Sequence, residues 1–190
     1  MLSRKRLASS TRRNAFGARI AEDREPFTKV AADQALIAGV LHDLGKLFLA
    51  SYLPNEYQSS ISIARQQGIP MWQAECEVLG TSHGGIGAYL LGLWGLPTRI
   101  TEAVAFHHQP GLYNTRELNP LVAVHVANVL VQDSNRTEPN FDIAMLDCGF
   151  LEKAGTAHRV EMWRERTLNS VERPSQARWR RVSAGYPSAN

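Results

Sequence analysis

Apolar residues recur along most of this chain three and four positions apart. Nowhere do they alternate with polar residues over a sustained stretch between turn signals. The pattern predicts an all-α fold. Over residues 31–49 the large apolar positions are Leu36, Ile37, Val40, Leu41, Leu44 and Phe48, and the other face is mostly Ala and Gly. Such a segment reads as a central, buried helix. A second, amphipathic helix is expected over 57–67 through Ile61, Ile63 and Ala64, stopped by Gly68 and Pro70, with a third over 72–79. Thr81 or Ser82 can cap a helix over 83–94, with Gly95 and Pro97 behind it as a stop. The next helix should begin beside Pro97 and run to His107 or His108, because Pro110 forbids continuation. After a loop over 109–117, Asn119 and Pro120 form a cap and first-turn pair for a helix through Leu121, Val124, Asn128 and Val131. One or two further helices are expected over 143–171, beyond a polar connection at 133–140.

Composition changes this picture little. With 190 residues, 44% hydrophobic and 21% charged, the chain has material for one domain with a real core. Cys76 and Cys148 are too few for a disulfide framework and have no Cys-x-x-Cys partner for a structural zinc, which points to a reducing, cytoplasmic setting. Charge is more informative. Residues 1–20 carry six basic and no acidic groups, residues 21–150 seven against fourteen, and residues 151–190 eight against four. The basic ends flank an acidic middle, so nucleic-acid binding through the folded core is disfavoured. The expected organisation is a basic N-terminal helix over 1–30, a helical domain over 31–172, and a basic, mobile tail over 173–190. The Arg-rich start resembles a transit segment but reads better as a basic first helix, and no apolar run of secretory type follows it. Residues 78–98 carry no formal charge, yet six glycines, His83 and Pro97 within them favour a buried soluble helix over a membrane span.

The most informative feature is that five of the six histidines fall within residues 42–125. His42 and Asp43 are adjacent in an apolar segment, where an ionised carboxylate costs several kcal/mol (roughly) unless paired or bound to metal. Lys46, three residues on, is one candidate partner. His83 stands at a helix start among Gly80, Gly84, Gly85 and Gly87, small residues that let other groups approach closely, and by itself reads as a cap. His107 and His108 end an otherwise apolar helix, about 100° apart around its axis. Together His42, Asp43, His83, His107 and His108 form a nitrogen-rich set with one carboxylate, suited to Fe, Mn, Zn or Ni rather than Ca.

The runs Ile37-Ala-Gly-Val-Leu-His-Asp-Leu-Gly-Lys46, Glu77-Val-Leu-Gly-Thr-Ser-His83, Gly87-Ala-Tyr-Leu-Leu-Gly-Leu-Trp-Gly-Leu-Pro97 and Glu102-Ala-Val-Ala-Phe-His-His-Gln-Pro110 occur in this order. They resemble the HDOD family, a branch of the HD phosphohydrolase superfamily, most densely over residues 35–130. The resemblance implies an all-α bundle of the HD type in bacterial signal-transduction proteins. Many such modules are regulatory and have no proven catalysis. It also implies a metal set of His42, Asp43, His83, His107 and His108, with Asp43 as bridging carboxylate and Lys46 reaching for a phosphate. Two positions depart from the superfamily pattern: Ser9 stands where a first His is expected, and Asn128 where a final Asp is expected. A hydroxyl and a neutral amide are poor ligands for such a cation. His125, one turn before Asn128, could compensate, although a packed or an exposed His is the simpler reading. The Gly-Tyr-Pro element of the HD-GYP phosphodiesterases is missing after His108, and Gly185-Tyr-Pro187 in the tail is read as chance. Family domains carry further helices in front of the position of Met1. A missing front would uncover apolar surface and favour self-association or marginal stability.

The leading functional expectation is therefore a regulatory module that acts through a signalling protein partner or a second copy, without catalysis, membrane or nucleic acid. The alternative is a metal-dependent phosphohydrolase acting on a nucleotide or cyclic dinucleotide, with Asp43 and Lys46 as its catalytic groups. The cofactor is then a divalent transition metal, or none if the replaced ligands abolish binding.

Overall fold

A computed structural model of the chain describes residues 28–114, 117–134 and 145–171, and all regular structure among them is helical. The all-α expectation holds. Thr28 caps the first helix, α1 (Lys29–Leu41), by accepting from the Ala31 N–H at 3.2 Å. A break at His42 and Asp43 separates it from α2 (Leu44–Tyr52). Pro54 then opens α3 (Pro54–Gln67), and α4 (Met71–Leu79) follows Pro70. Gly68 and Gly80 end these two helices at φ 66° and 74°, a conformation that favours glycine. Ser82 caps α5 (His83–Leu93), and α6 (Thr98–Phe106) starts directly after Pro97. A single 3-10 turn at Pro110–Leu112 follows. Asn119 accepts from the Val122 N–H at 3.1 Å and so caps α7 (Pro120–Ser134), as its sequence predicts. The last described helices are α8 (Cys148–Lys153), capped by Asp147, and α9 (Val160–Val171).

The central helix is not the one that hydropathy suggests. Every side chain of α7 from Leu121 to Gln132 is buried, and α1, α6 and α9 pack around it. The segment 31–49, expected to be central and continuous, is two helices broken at His42–Asp43. It buries its small side, Ala35, Ala38 and Gly39, while Leu36, Ile37 and Val40 remain 41%, 43% and 50% exposed. The small side wins because it brings the α1 backbone close to α6 and α7, which a Leu or Ile face would prevent. Lys29–Tyr52 is also long and apolar enough to cross a membrane by length and composition alone, but only a third of its most apolar window is buried, and the break divides it. The uncharged stretch 78–98 divides among the end of α4, all of α5 and the start of α6.

Ile100, Ala103 and Val104 of α6, Leu91 of α5, and Phe150, Leu151 and Trp163 of α8 and α9 complete the main core around α7. A smaller cluster, Ala64, Met71 and Ala74, joins α3 to α4. Two glycine contacts set the helix crossings nearest the clustered histidines. A Cβ on Gly45 of α2 would run into the backbone carbonyl of His83, and a Cβ on Gly84 would lie 3.0 Å from the Val104 carbonyl oxygen and 3.4 Å from the His107 ring. Because both lack a Cβ, α2 and α6 can close on the first turn of α5 from two sides. By contrast, a Cβ on Gly39 meets nothing within 4 Å.

Gly45→Ala should therefore cost roughly 1–3 kcal/mol through forced separation of α2 from α5. Gly39→Ala should gain about 0.5–1 kcal/mol from lost unfolded-state freedom. Urea unfolding of the two variants beside the parent chain checks the opposite signs, and an equal effect at both sites would contradict the crossing described.

Candidate metal centre

Four histidines and one aspartate meet where α1 and α6 end and α2 and α5 begin. His42 and His107 occupy equivalent places, each the residue that closes a helix C-terminus. Each turns its ring back to donate from Nδ1 to the carbonyl three residues earlier: His42 to Gly39 at 2.8 Å and His107 to Val104 at 2.7 Å. A carbonyl only accepts, so Nδ1 carries the proton and Nε2 is left with its lone pair. His83, in the first turn of α5, is held from a third direction. The Oε2 of Glu75 accepts from its backbone N–H at 2.7 Å and from its Nδ1–H at 2.6 Å. All three rings are buried, and their Nε2 atoms are the groups left to face the centre.

The remaining members form the wetter edge. His108 is half-buried, with its Nε2 3.1 Å from that of His83 and its ring stacked at 24° on Trp72. The Asp43 carboxylate, 17% exposed, lies 3.5 Å from His83 Nε2 through one oxygen and 3.5 Å from His42 Nε2 through the other. Lys46 Nζ reaches the first of these oxygens at 3.1 Å, which is the pairing its spacing predicts. Ligating atoms of His83, His107 and His108 fall within 4.8 Å of one another, as do those of His42, Asp43 and His107, so His107 belongs to both groups.

This donor set fits a divalent transition cation. Imidazole lone pairs face carboxylate oxygens at 3.5 Å, acceptor against acceptor, and His107 Nε2 is buried without a hydrogen-bond partner among the described residues. A positive charge between them removes both conflicts. The outer hydrogen bonds, from Nδ1–H to carbonyl or carboxylate, are those that metal-binding histidines usually make. His42, Asp43, His83, His107 and His108 would hold the ion.

Two expectations are corrected and one alternative is closed. His83 does not cap α5: Ser82 does, accepting from the Gly85 N–H, and the imidazole is buried against Glu75. His42 and Asp43 lie not inside a helix but at the turn between two. His125 cannot substitute for a missing ligand, because both its nitrogens are used: Nδ1–H donates to the His107 carbonyl at 2.8 Å, and Nε2 accepts from the Asp147 N–H at 3.0 Å. Asn128 is buried, with its Oδ1 accepting from Gln132 at 3.3 Å. Ser9, the basic first segment and the tail lie outside the described residues. The sequence reading missed Glu75, although Met71, Ala74, Glu75 and Val78 follow helical spacing and place a carboxylate on the apolar face of α4.

Burial pushes the His107 imidazole well below its ordinary range, and the neighbouring His42 and His83 push in the same direction. Burial also lowers His125. Both are therefore neutral in the folded chain under conditions where the unfolded chain takes up protons.

Known proteins share this fold. The family model for the HDOD domain matches residues 2–110. An uncharacterized protein of Treponema pallidum (strain Nichols) is 31% identical over 110 residues, which is 55% of this chain and 21% of that one. Among solved structures, an HDOD domain protein of unknown function from Geobacter sulfurreducens superposes with a TM-score of 0.64 at 22% identity, covering 85% of this chain and 52% of that one. A Shewanella amazonensis SB2B protein provisionally named a phosphohydrolase gives 0.56 at 19% identity, over 84% and 62%. The chain thus spans about a fifth of the Treponema protein and about half of the Geobacter one.

For the metal-free chain in chelator, the sign of the pH effect follows from the depressed imidazoles. Their contribution is complete above the unfolded value of about 6.5 and is lost as pH falls from there toward the folded values. The melting temperature should drop between pH 7.5 and pH 5, and His125→Gln should flatten the drop. A midpoint that rises on acidification would contradict the neutral, buried assignment.

Proposed function

This chain belongs to the HDOD domain family, and we propose that it works as a regulatory module of bacterial signal transduction, acting in the cytoplasm through a protein partner or a second copy. Its histidine centre then holds a divalent transition metal as a pin between helices. The observation that carries this reading is Asn128. Where HD hydrolases are expected to supply a final Asp, the buried helix α7 supplies a neutral amide, whose oxygen accepts from Gln132. The imidazole donors at the ends of α1, α5 and α6 are present, while the carboxylate expected from α7 is missing. Exposed Leu36, Ile37, Val40 and Leu47 flank the His42–Asp43 break and offer a partner an apolar row beside the centre. Both cysteines are free, in keeping with a reducing compartment.

A second reading, a metal-dependent phosphohydrolase, is favoured by one feature. The Lys46 ammonium sits on Asp43 at the wetter edge of the cluster, where a phosphate could meet it. The provisional name of the Shewanella neighbour points the same way. A bound cation would supply Lewis acidity toward a phosphoryl oxygen and lower the pKa of a bound water. Asp43 would orient the reacting group, and Lys46 would offset charge on the phosphate.

Elemental mass spectrometry on the untagged chain, with a bis(p-nitrophenyl) phosphate assay on the same samples, separates the readings. The module predicts metal near one equivalent, lost in Asp43→Ala, and no hydrolysis above buffer with Mn, Fe or Zn supplied. Hydrolysis that disappears in Asp43→Ala would replace it with the enzyme. Val40→Glu should leave metal content unchanged and weaken self-association in sedimentation, or capture of the cognate partner, at least tenfold.

A further inference from the structure

The metal reading leaves Glu75 unexplained. It is the only fully buried carboxylate among the described residues, and its partner within ion-pair distance is an imidazole rather than a Lys or Arg. A single oxygen, Oε2, takes both polar hydrogens of His83, one from the backbone at 2.7 Å and one from the ring at 2.6 Å. The other oxygen, Oε1, is buried with no hydrogen-bond partner among the described residues. Holding α4 to the start of α5 would need only a neutral acceptor. A charge in this place is expensive to bury and is compensated only through the ring it holds.

We propose that Glu75 is the positioning residue of the centre: it confines the His83 proton to Nδ1, fixes the ring plane, and makes Nε2 a stronger donor toward a divalent transition cation. The geometry meets each requirement. The backbone bond anchors the carboxylate to the residue it orients, so ring and main chain move together. The ring bond excludes the other tautomer, because a carboxylate has no proton to donate and so can only accept from Nδ1–H. His83 Nε2 then faces Asp43 at 3.5 Å and His108 at 3.1 Å. His42 and His107 achieve the same tautomer with backbone carbonyls, so His83 is the one of the three whose Nδ1–H is held by a carboxylate.

The effect on affinity rests on the metal reading; the effect on the tautomer does not. Two measurements keep them apart. The first is competitive Zn(II) titration of the metal-free full chain, with the Co(II) absorption spectrum as a second readout. Glu75→Gln preserves shape and an acceptor oxygen, and should leave the metal-free melting temperature nearly unchanged while weakening Zn(II) 10- to 100-fold and altering the Co(II) bands. The second is long-range proton–nitrogen correlation of the histidine rings at pH 8 without metal. His83 should be wholly in the Nδ1–H form in the parent chain and mixed in Glu75→Ala. A Glu75→Gln chain that binds Zn(II) and Co(II) like the parent overturns the role of the charge and leaves the metal reading standing. A parent chain that binds neither ion, yet loses its fixed His83 tautomer in Glu75→Ala, supports the positioning and sinks the metal reading. A His83 tautomer indifferent to both substitutions overturns the proposal altogether.

Discussion

The approach of α2 to the first turn of α5, glycine against backbone, is the constraint on which the centre depends. His42 and Asp43 are fixed to the entry of α2, and His83 opens α5, so the gap between these helices sets the gap between carboxylate and imidazole. With Gly45 against the His83 carbonyl, that gap is 3.5 Å. A side chain at residue 45 would force the two apart, and the contact of Asp43 with His83 would lengthen. Gly84 does the same for α6 and His107. The glycine-rich run thus has a mechanical meaning that its composition only suggests.

The histidines are oriented by the backbone as much as by one another. Helix ends leave carbonyls without partners, and two of the rings settle on such carbonyls. Termination of α1 and α6 and aiming of His42 and His107 are consequently one event. His125 extends this outward: it receives the Asp147 N–H at the start of α8 and donates to the His107 carbonyl, so α7 and α8 are tied to the backbone of a ligand. A residue that spends both nitrogens in this way is a strut, although its place in the sequence suggests a ligand.

Much of the fold was legible because its punctuation is strong. Gly68, Gly80, Pro97, Pro110 and the Asn119-Pro120 pair set helix limits within a residue or two of those observed. The members of the site were legible as well, since His42, Asp43, His83, His107 and His108 stand out against apolar surroundings. What escaped were relations between distant positions. Hydropathy ranks Leu36 and Ile37 above Ala35 and Ala38, but close helix packing selects the smaller face. Glu75 escaped because one of two acids in a short helix, Glu75 and Glu77, stands out only once Met71, Ala74 and Val78 are placed on the same side as it. The bonds of His125 escaped because they run to main-chain atoms, about which side-chain chemistry is silent.

Two helices, α1 and α6, end at the histidine cluster, and two, α2 and α5, begin there. Each helix C-terminus carries about half a negative elementary charge and each N-terminus about half a positive one. Before any side-chain charge is counted, two positive ends therefore offset two negative ones, and the peptide dipoles leave the centre close to neutral. A cation would be drawn there by side chains, the Asp43 carboxylate and the imidazole lone pairs, rather than by the backbone. An anion such as phosphate would be met favourably from the side of Lys46 and the first turns of α2 and α5, where a positive side chain and positive helix ends coincide.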